Sequence, residues 1–405
     1  MGSGDAVAGR YRSLDLWRGL ACLMVVFDHS AVVLHQGMES RAYLDLAAVS
    51  WEGWFRWLTA ALSSQALGPA MFFVISGLCL ASALDSASRK GMRPLTFWTR
   101  RLRRTFPPLW IALGFFVAVL GVCDLLGLRH LYHAGQGIRI APTEELSLAQ
   151  WVGNLTLTET WRWRCWGDAT AHLHMGVIWT LCHQEQFYLI CALILLLFPR
   201  NPQRALVVLT CLIAAYRVVI WDIGGARAIE GIFTQYWMAF ACGLAVHWSM
   251  RFESRRDPEA LRMRGAIMAA LVALGVVGWI HHLHEELVAS CFALTLIGLR
   301  RFDKHLTSAR WSQPFQALGR RCFSIYLTHL SVCVIVGAGL IEWGLSHYWA
   351  MVFVVVPTAT LTSLAVGFGF YRLVESRWLN SSFVAEPASA KLASSKPKCT
   401  MALPA

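Results

Sequence analysis

The stretch "LDLWRGLACLMVVFDHS", Leu14 to Ser30, reads as the start of a membrane-spanning helix, yet it carries Arg18 and His29. A charge at the bilayer centre costs about 2.5–3.5 kcal/mol even on the most lenient insertion scale, so such groups face the bundle interior or a wet cavity. Arg18 and His29 lie eleven residues apart. At 100° per residue this is three turns plus about 20°, which puts both side chains on one helix face, separated by a rise of about 16 Å. Arg18 is therefore expected near one membrane surface and His29 near or past the midplane.

Working outward, the 405 residues are 56% hydrophobic and 15% charged, with a mean hydropathy of +0.49. Soluble domains carry about 25% charged residues, so most of this surface is expected to face lipid. Apolar runs long enough to cross about 30 Å of hydrocarbon fall at residues 14–34, 66–84, 106–126, 176–198, 203–221, 230–249, 265–282, 286–302, 317–341 and 349–373. These predict an all-α integral membrane protein, a bundle of about ten transmembrane helices, with two longer outward-facing loops at 35–65 and 127–175. The expected organisation is a cytoplasmic segment 1–13, a membrane domain 14–378 and a Ser/Ala/Pro/Lys-rich, disordered cytoplasmic tail 379–405, with no second soluble domain after the last span.

The net charge of +12 does not imply nucleic acid. With both termini placed in the cytoplasm, 28 of the 36 lysines and arginines fall on inside segments, which is the positive-inside bias of a multi-pass protein. The first apolar run is too long for a signal-peptide core and lacks its cleavage pattern. The 12 cysteines sit mostly inside apolar runs and suggest no disulfide framework or zinc site.

Other polar clusters accompany the first helix. "FWTRRLRRTFPPLW", Phe97 to Trp110, places four arginines ahead of a span expected to begin at Pro107–Pro108. On a helix Arg100, Arg103 and Arg104 share a face. Guanidinium forks suit phosphate oxygens, although on spacing alone ordinary inside charge or anionic lipid is the better account of such a run. "WTLCHQEQFY", Trp179 to Tyr188, sets His183, Gln184, Glu185 and Gln186 at a span's start. Glu185 there needs a cationic or hydrogen-bonding partner. "SIYLTHLS" adds His329 with Tyr326 one turn earlier, and "HHLHEE", His281 to Glu286, has metal-like spacing but reads as a solvated loop. "WRWRCWGD", Trp161 to Asp168, suits either sugar stacking or an interfacial aromatic belt. "NLT" at Asn154 is a glycosylation sequon.

Five stretches in order resemble the acyltransferase 3 family of integral-membrane acyltransferases. They are "LDLWRGLACLMVVFDH", "GPAMFFVISGLCL", "FWTRRLRRTFPPLW", "WTLCHQEQFYLI" and "SIYLTHLS", and together they span about residues 10–378. The resemblance implies transfer of an acyl group, usually acetyl, from acyl-CoA to a hydroxyl of a surface glycan, a lipid-linked sugar or a small metabolite, in a bacterial cytoplasmic membrane and without a metal. Carried over position by position, it makes His29 the catalytic histidine, Arg18 its partner, and Arg100, Arg101, Arg103 and Arg104 the basic cluster. Where the family motif has two adjacent glutamates, this chain has Gln184 then Glu185.

A base must take the acceptor's hydroxyl proton. The expectation is therefore that His29 is that base or briefly carries the acyl group, that Glu185 orients it or stabilises the imidazolium that forms, and that the arginines hold the CoA phosphates at the mouth of a chamber that includes His29. A proton-coupled transporter or flippase, relaying through His29, Glu185 and His329, is the alternative. It would call for broken helices or an inverted repeat, and the sequence displays neither.

Overall fold

The computed structural model describes residues 11–37, 67–127, 143–167, 177–224, 229–253, 255, 257–345 and 348–379. The loop expected at 35–65 and the tail from 380 lie essentially outside these residues. Among the described residues the secondary structure is helical throughout, without strands.

Ten long helices carry the fold: α1 Leu14–Gly37, α2 Leu67–Arg89, α3 Pro94–Leu125, α4 Ile178–Leu197, α5 Pro202–Gly224, α6 Trp237–Phe252, α7 Pro258–Ile280, α8 His284–Leu299, α9 Cys322–Glu342 and α10 Val356–Phe370. Each overlaps one expected apolar run. Seven membrane-crossing candidates are long and apolar enough among the described residues: α2, α3, α4, α5, α7, α9 and the stretch Met351–Glu375 that contains α10. The count of ten spans is therefore not reproduced. Helices α6 and α8 have 16 residues each, a rise of about 24 Å against about 30 Å of hydrocarbon. Within them Trp237, Phe240, Leu244, Ala289, Ala293 and Leu296 are buried against other helices.

Two close helix contacts position the site. A Cβ on Gly77 of α2 would lie 2.1 Å from the Phe240 carbonyl of α6, and one on Gly243 would lie 2.0 Å from the Val74 carbonyl. At one end of α1 the same device recurs with the short helix Gln313–Gly319. A Cβ on Gly19 would meet the Phe315 carbonyl at 1.9 Å, and one on Gly319 the Asp15 carbonyl at 1.7 Å. Small residues let backbones meet where lipid offers no hydrophobic drive for association. Here they clamp the turn of α1 that bears Arg18.

Helix α3 corrects one boundary. The basic run does not precede a span starting at Pro107; it lies inside one 32-residue helix with Pro107 and Pro108 in its interior. Each proline lacks an N–H, so the carbonyls four residues earlier, on Arg103 and Arg104, lose their intrahelical donors. The last long segment also departs from a regular helix, with π turns at Met351–Val355 and Tyr371–Glu375 flanking α10.

Candidate active site

Near the Arg18 end of the bundle lies a cavity of about 280 Å³ bordered by α1, α2, α3, α4 and α9. Arg18, Arg101 and Arg104 line it, with Gln184, Tyr326 and Glu375. Arg18 donates to the Asp15 carboxylate at 3.1 Å and lies 3.0 Å from the Cys79 sulfur. Arg101 packs against the rings of Phe97 and Tyr188, 5.8 and 5.6 Å from their centroids, a cation–π cradle that holds the guanidinium without neutralising it. Among the described residues neither Arg101 nor Arg104 has a carboxylate within 4 Å.

The helical face turned to the cavity is Arg101, Arg104 and Thr105. Arg100 and Arg103, expected to share the site, lie outside its lining, whereas Arg104, equally exposed, borders it. Position 101 rather than 100 starts the inward face.

The cavity runs deep along α2, from Leu80 and Cys79 beside Arg18 up to Pro69. Ten residues of helix correspond to about 15 Å. Gly68, next to Pro69, packs directly on Val25, one turn short of His29. At this level Tyr326 and Phe72 line the cavity, their rings edge to face at 5.9 Å. The Tyr326 hydroxyl donates to the Val177 carbonyl at 2.7 Å and meets the Thr180 hydroxyl.

His29 lies one step beyond. The Tyr326 ring is 5.8 Å from that of His329, and His329 is 5.0 Å from His29 in an edge-to-face pair. The nitrogens approach to 3.3 Å, His329 Nε2 to His29 Nδ1. His29 is thus the neighbour of the arginine-lined chamber and not part of its lining, with Tyr326 as the shared wall.

Glu185 differs from expectation. It is not among the partners of His29, whose ring contacts are the Val25 carbonyl at 2.8 Å and His329. The cavity-facing residue of this pair is Gln184, which donates to the Tyr188 hydroxyl. One residue along a helix is a turn of about 100°, so Glu185 points elsewhere. Both its oxygens are buried without a hydrogen bond among the described residues, facing Thr105 and the Arg101 guanidinium.

Three polar groups near the site escaped sequence reading. Glu375, delivered by the second π turn, accepts from the Ser324 N–H at 3.1 Å and the Ser324 hydroxyl at 2.5 Å. Asp28, next to His29, is 5% exposed and has an oxygen with no partner among the described residues. Ser30, Cys333, Thr360 and Ser363 form a buried chain of contacts of 3.1–3.2 Å joining α1, α9 and α10. Only the Asp of "FDHS" carried a visible signal, a carboxylate inside an apolar run.

The remaining polar clusters are structural. Arg162, in the helix Glu159–Trp166, is 1% exposed and binds Glu159 through two bonds of 2.7 and 3.0 Å. Arg164 donates to the Glu230 carbonyl. These bonds tie down the two arginines of the Trp/Arg run, and Trp166 stays exposed. Asn154 is fully buried, its amide donating to the Gln150 carbonyl, so this sequon is closed to modification. Glu286 pairs with Arg217 at 2.7 Å, and no cluster of three or more His, Cys, Asp or Glu among the described residues is arranged to hold a metal ion. All eleven described cysteines are free.

A helical membrane protein with an arginine-lined cavity beside a part-buried imidazole pair is the class of molecule that fold and site define. The chain belongs to the acyltransferase 3 family, whose acyltransferase domain matches residues 11–372. It is 26% identical over 359 residues to YrhL of Bacillus subtilis, whose name assigns it provisionally to peptidoglycan O-acetylation, covering 81% of this chain and 53% of that protein. It is 24% identical over 342 residues to the O-acetyltransferase OatA of Staphylococcus aureus, covering 78% and 53%. The chain thus spans about half the length of these relatives. A membrane-bound transacylase assignment attaches to BcsY of Komagataeibacter xylinus, 25% identical over 329 residues, 79% of this chain and 72% of that one. No solved structure matches the chain.

Proposed function

We propose that the protein is a membrane-embedded O-acyltransferase that moves an acyl group, acetyl in the first instance, from acyl-CoA to a hydroxyl of a cell-surface glycan. The observation that carries this reading is the cavity. Three arginines gather at one end, and Tyr326 in its wall packs on His329, the ring neighbour of His29. Phosphates of the donor sit against Arg18, Arg101 and Arg104, which present fork-shaped donors. The pantetheine arm runs along α2 to Tyr326, and the Tyr326 ring has to shift for the thioester to reach the histidine pair behind it. The positive-inside bias supports a cytoplasmic arginine mouth, on the side where acyl-CoA is made. The names of YrhL and OatA support a glycan acceptor.

The chemistry balances on one nitrogen. His29 Nε2 takes the acceptor's hydroxyl proton as the oxygen attacks the thioester carbonyl carbon. The carbon–sulfur bond breaks, and the leaving thiolate recovers the proton from Nε2. Glu185 acts at a distance from this step: its buried carboxylate makes no contact with Arg101 and contributes only a negative charge in the neighbourhood of that guanidinium. The test is direct. Purified protein in lipid nanodiscs, given acetyl-CoA and peptidoglycan fragments, should yield O-acetylated glycan by mass spectrometry; neither glycan acetylation nor acetyl-CoA turnover would overturn the reading.

A further inference from the structure

Backbone carbonyls settle the protonation of both imidazoles in the part-buried pair. A carbonyl oxygen only accepts, so a ring nitrogen facing one must carry the hydrogen. His29 Nδ1 faces the Val25 carbonyl at 2.8 Å. His329 Nδ1 faces the Tyr326 carbonyl at 2.8 Å and the Ile325 carbonyl at 3.2 Å. Both neutral rings therefore bear their proton on Nδ1 and a lone pair on Nε2. For His29 this leaves Nε2, which has no partner among the described residues, as the basic atom. For His329 it leaves Nε2 as an acceptor, and that atom lies 3.3 Å from His29 Nδ1. The His29 Nδ1–H is shared between the Val25 carbonyl and His329.

We infer that His329 is the positioning residue for His29, accepting its Nδ1–H so that Nε2 faces the reacting hydroxyl and the imidazolium formed during transfer is stabilised. The inference rests on the reading of His29 as the base. It assigns to a neutral imidazole the work a carboxylate does behind other catalytic histidines. The choice suits the location. His329 is fully buried, and a permanent anion there would carry the desolvation cost of an isolated charge, whereas a neutral ring carries little and gains charge character only when His29 is protonated. The approach of 3.3 Å is the loose hydrogen bond of a resting site, which tightens as charge develops.

The ring is held firmly for this task. Its Nδ1 is anchored to the Tyr326 and Ile325 carbonyls of its own helix, and the Tyr326 ring packs beside it with centroids 5.8 Å apart. A residue serving only to fill space would not need its tautomer set.

The experiment compares substitutions at His329 in the full-length protein in nanodiscs. The Gln amide oxygen reaches where Nε2 stood and still accepts from His29; the Leu side chain fills similar space and cannot. His329→Leu should lower kcat about 100-fold, in the range typical of a lost acid–base partner, with KM for acetyl-CoA unchanged. His329→Gln should stay within about tenfold of the native kcat. If the Leu variant fails to fold, His329→Asn replaces it, since the shorter amide stops at the Nδ1 position and should be as impaired as Leu. Native kcat in the Leu or Asn variant, or equal loss in Gln and its partner variant, overturns the inference. Should His29→Ala lose transfer while the His329 variants keep it, only the pairing falls; activity in His29→Ala removes the base assignment itself.

Discussion

Arginines at two places in this molecule do opposite things. Arg162 and Arg217 each have a carboxylate at 2.7 Å, and Arg162 is sealed from solvent. Arg101 and Arg104 line a cavity, with no carboxylate within 4 Å among the described residues, and Arg101 rests on aromatic rings. The contrast separates structural charge from charge held ready for a ligand. A buried guanidinium with its partner in place is already satisfied. One cradled by apolar faces keeps its donors for whatever enters the cavity.

The contrast is sharpest where a partner is removed. Glu159→Gln should destabilise the fold by about 3–5 kcal/mol, because it leaves Arg162 buried and uncompensated. The measure is thermal unfolding in detergent, and activity per folded molecule should be native; a neutral effect would end the distinction. Arg101→Ala or Arg104→Ala should do the reverse: unfolding unchanged, and acetyl-CoA KM raised about tenfold, equivalent to about 1.4 kcal/mol, for a lost charge-assisted contact. Unchanged KM would return both arginines to the class of inside charge. Glu185→Gln, which removes a charge that makes no direct contact with Arg101, should change that KM by no more than about threefold, and loss of kcat instead would restore Glu185 to the reacting centre. Arg100→Ala and Arg103→Ala, exposed and outside the cavity, should change KM less than twofold, in line with exposed ion contacts.

Which of these residues could be read before the fold was known follows from what periodicity encodes. Helix α1 placed Arg18 and His29 on one face by spacing alone, and each of the ten apolar runs became a helix. Apolar runs do not say how much of their surface meets lipid and how much meets protein, and in α6 Trp237 and Phe240 are buried against other helices. The rotational phase of a helix is also invisible in a run of four arginines. Only packing of Arg101 on Tyr188 decides that 101 and 104 turn inward. Partners from distant segments were beyond reach for the same reason: His329 stands 300 residues from His29, and Glu375 reaches the cavity through a π turn that no local pattern announces.

The central claim is that the arginine cavity delivers an acyl donor to His29. It is tested most directly by measuring, on one preparation of His29→Ala in nanodiscs, both radiolabelled acetyl-CoA binding and acetyl transfer to glycan. The account predicts native binding with transfer reduced at least about 1,000-fold, the loss of a general base. Native binding with transfer intact would contradict it.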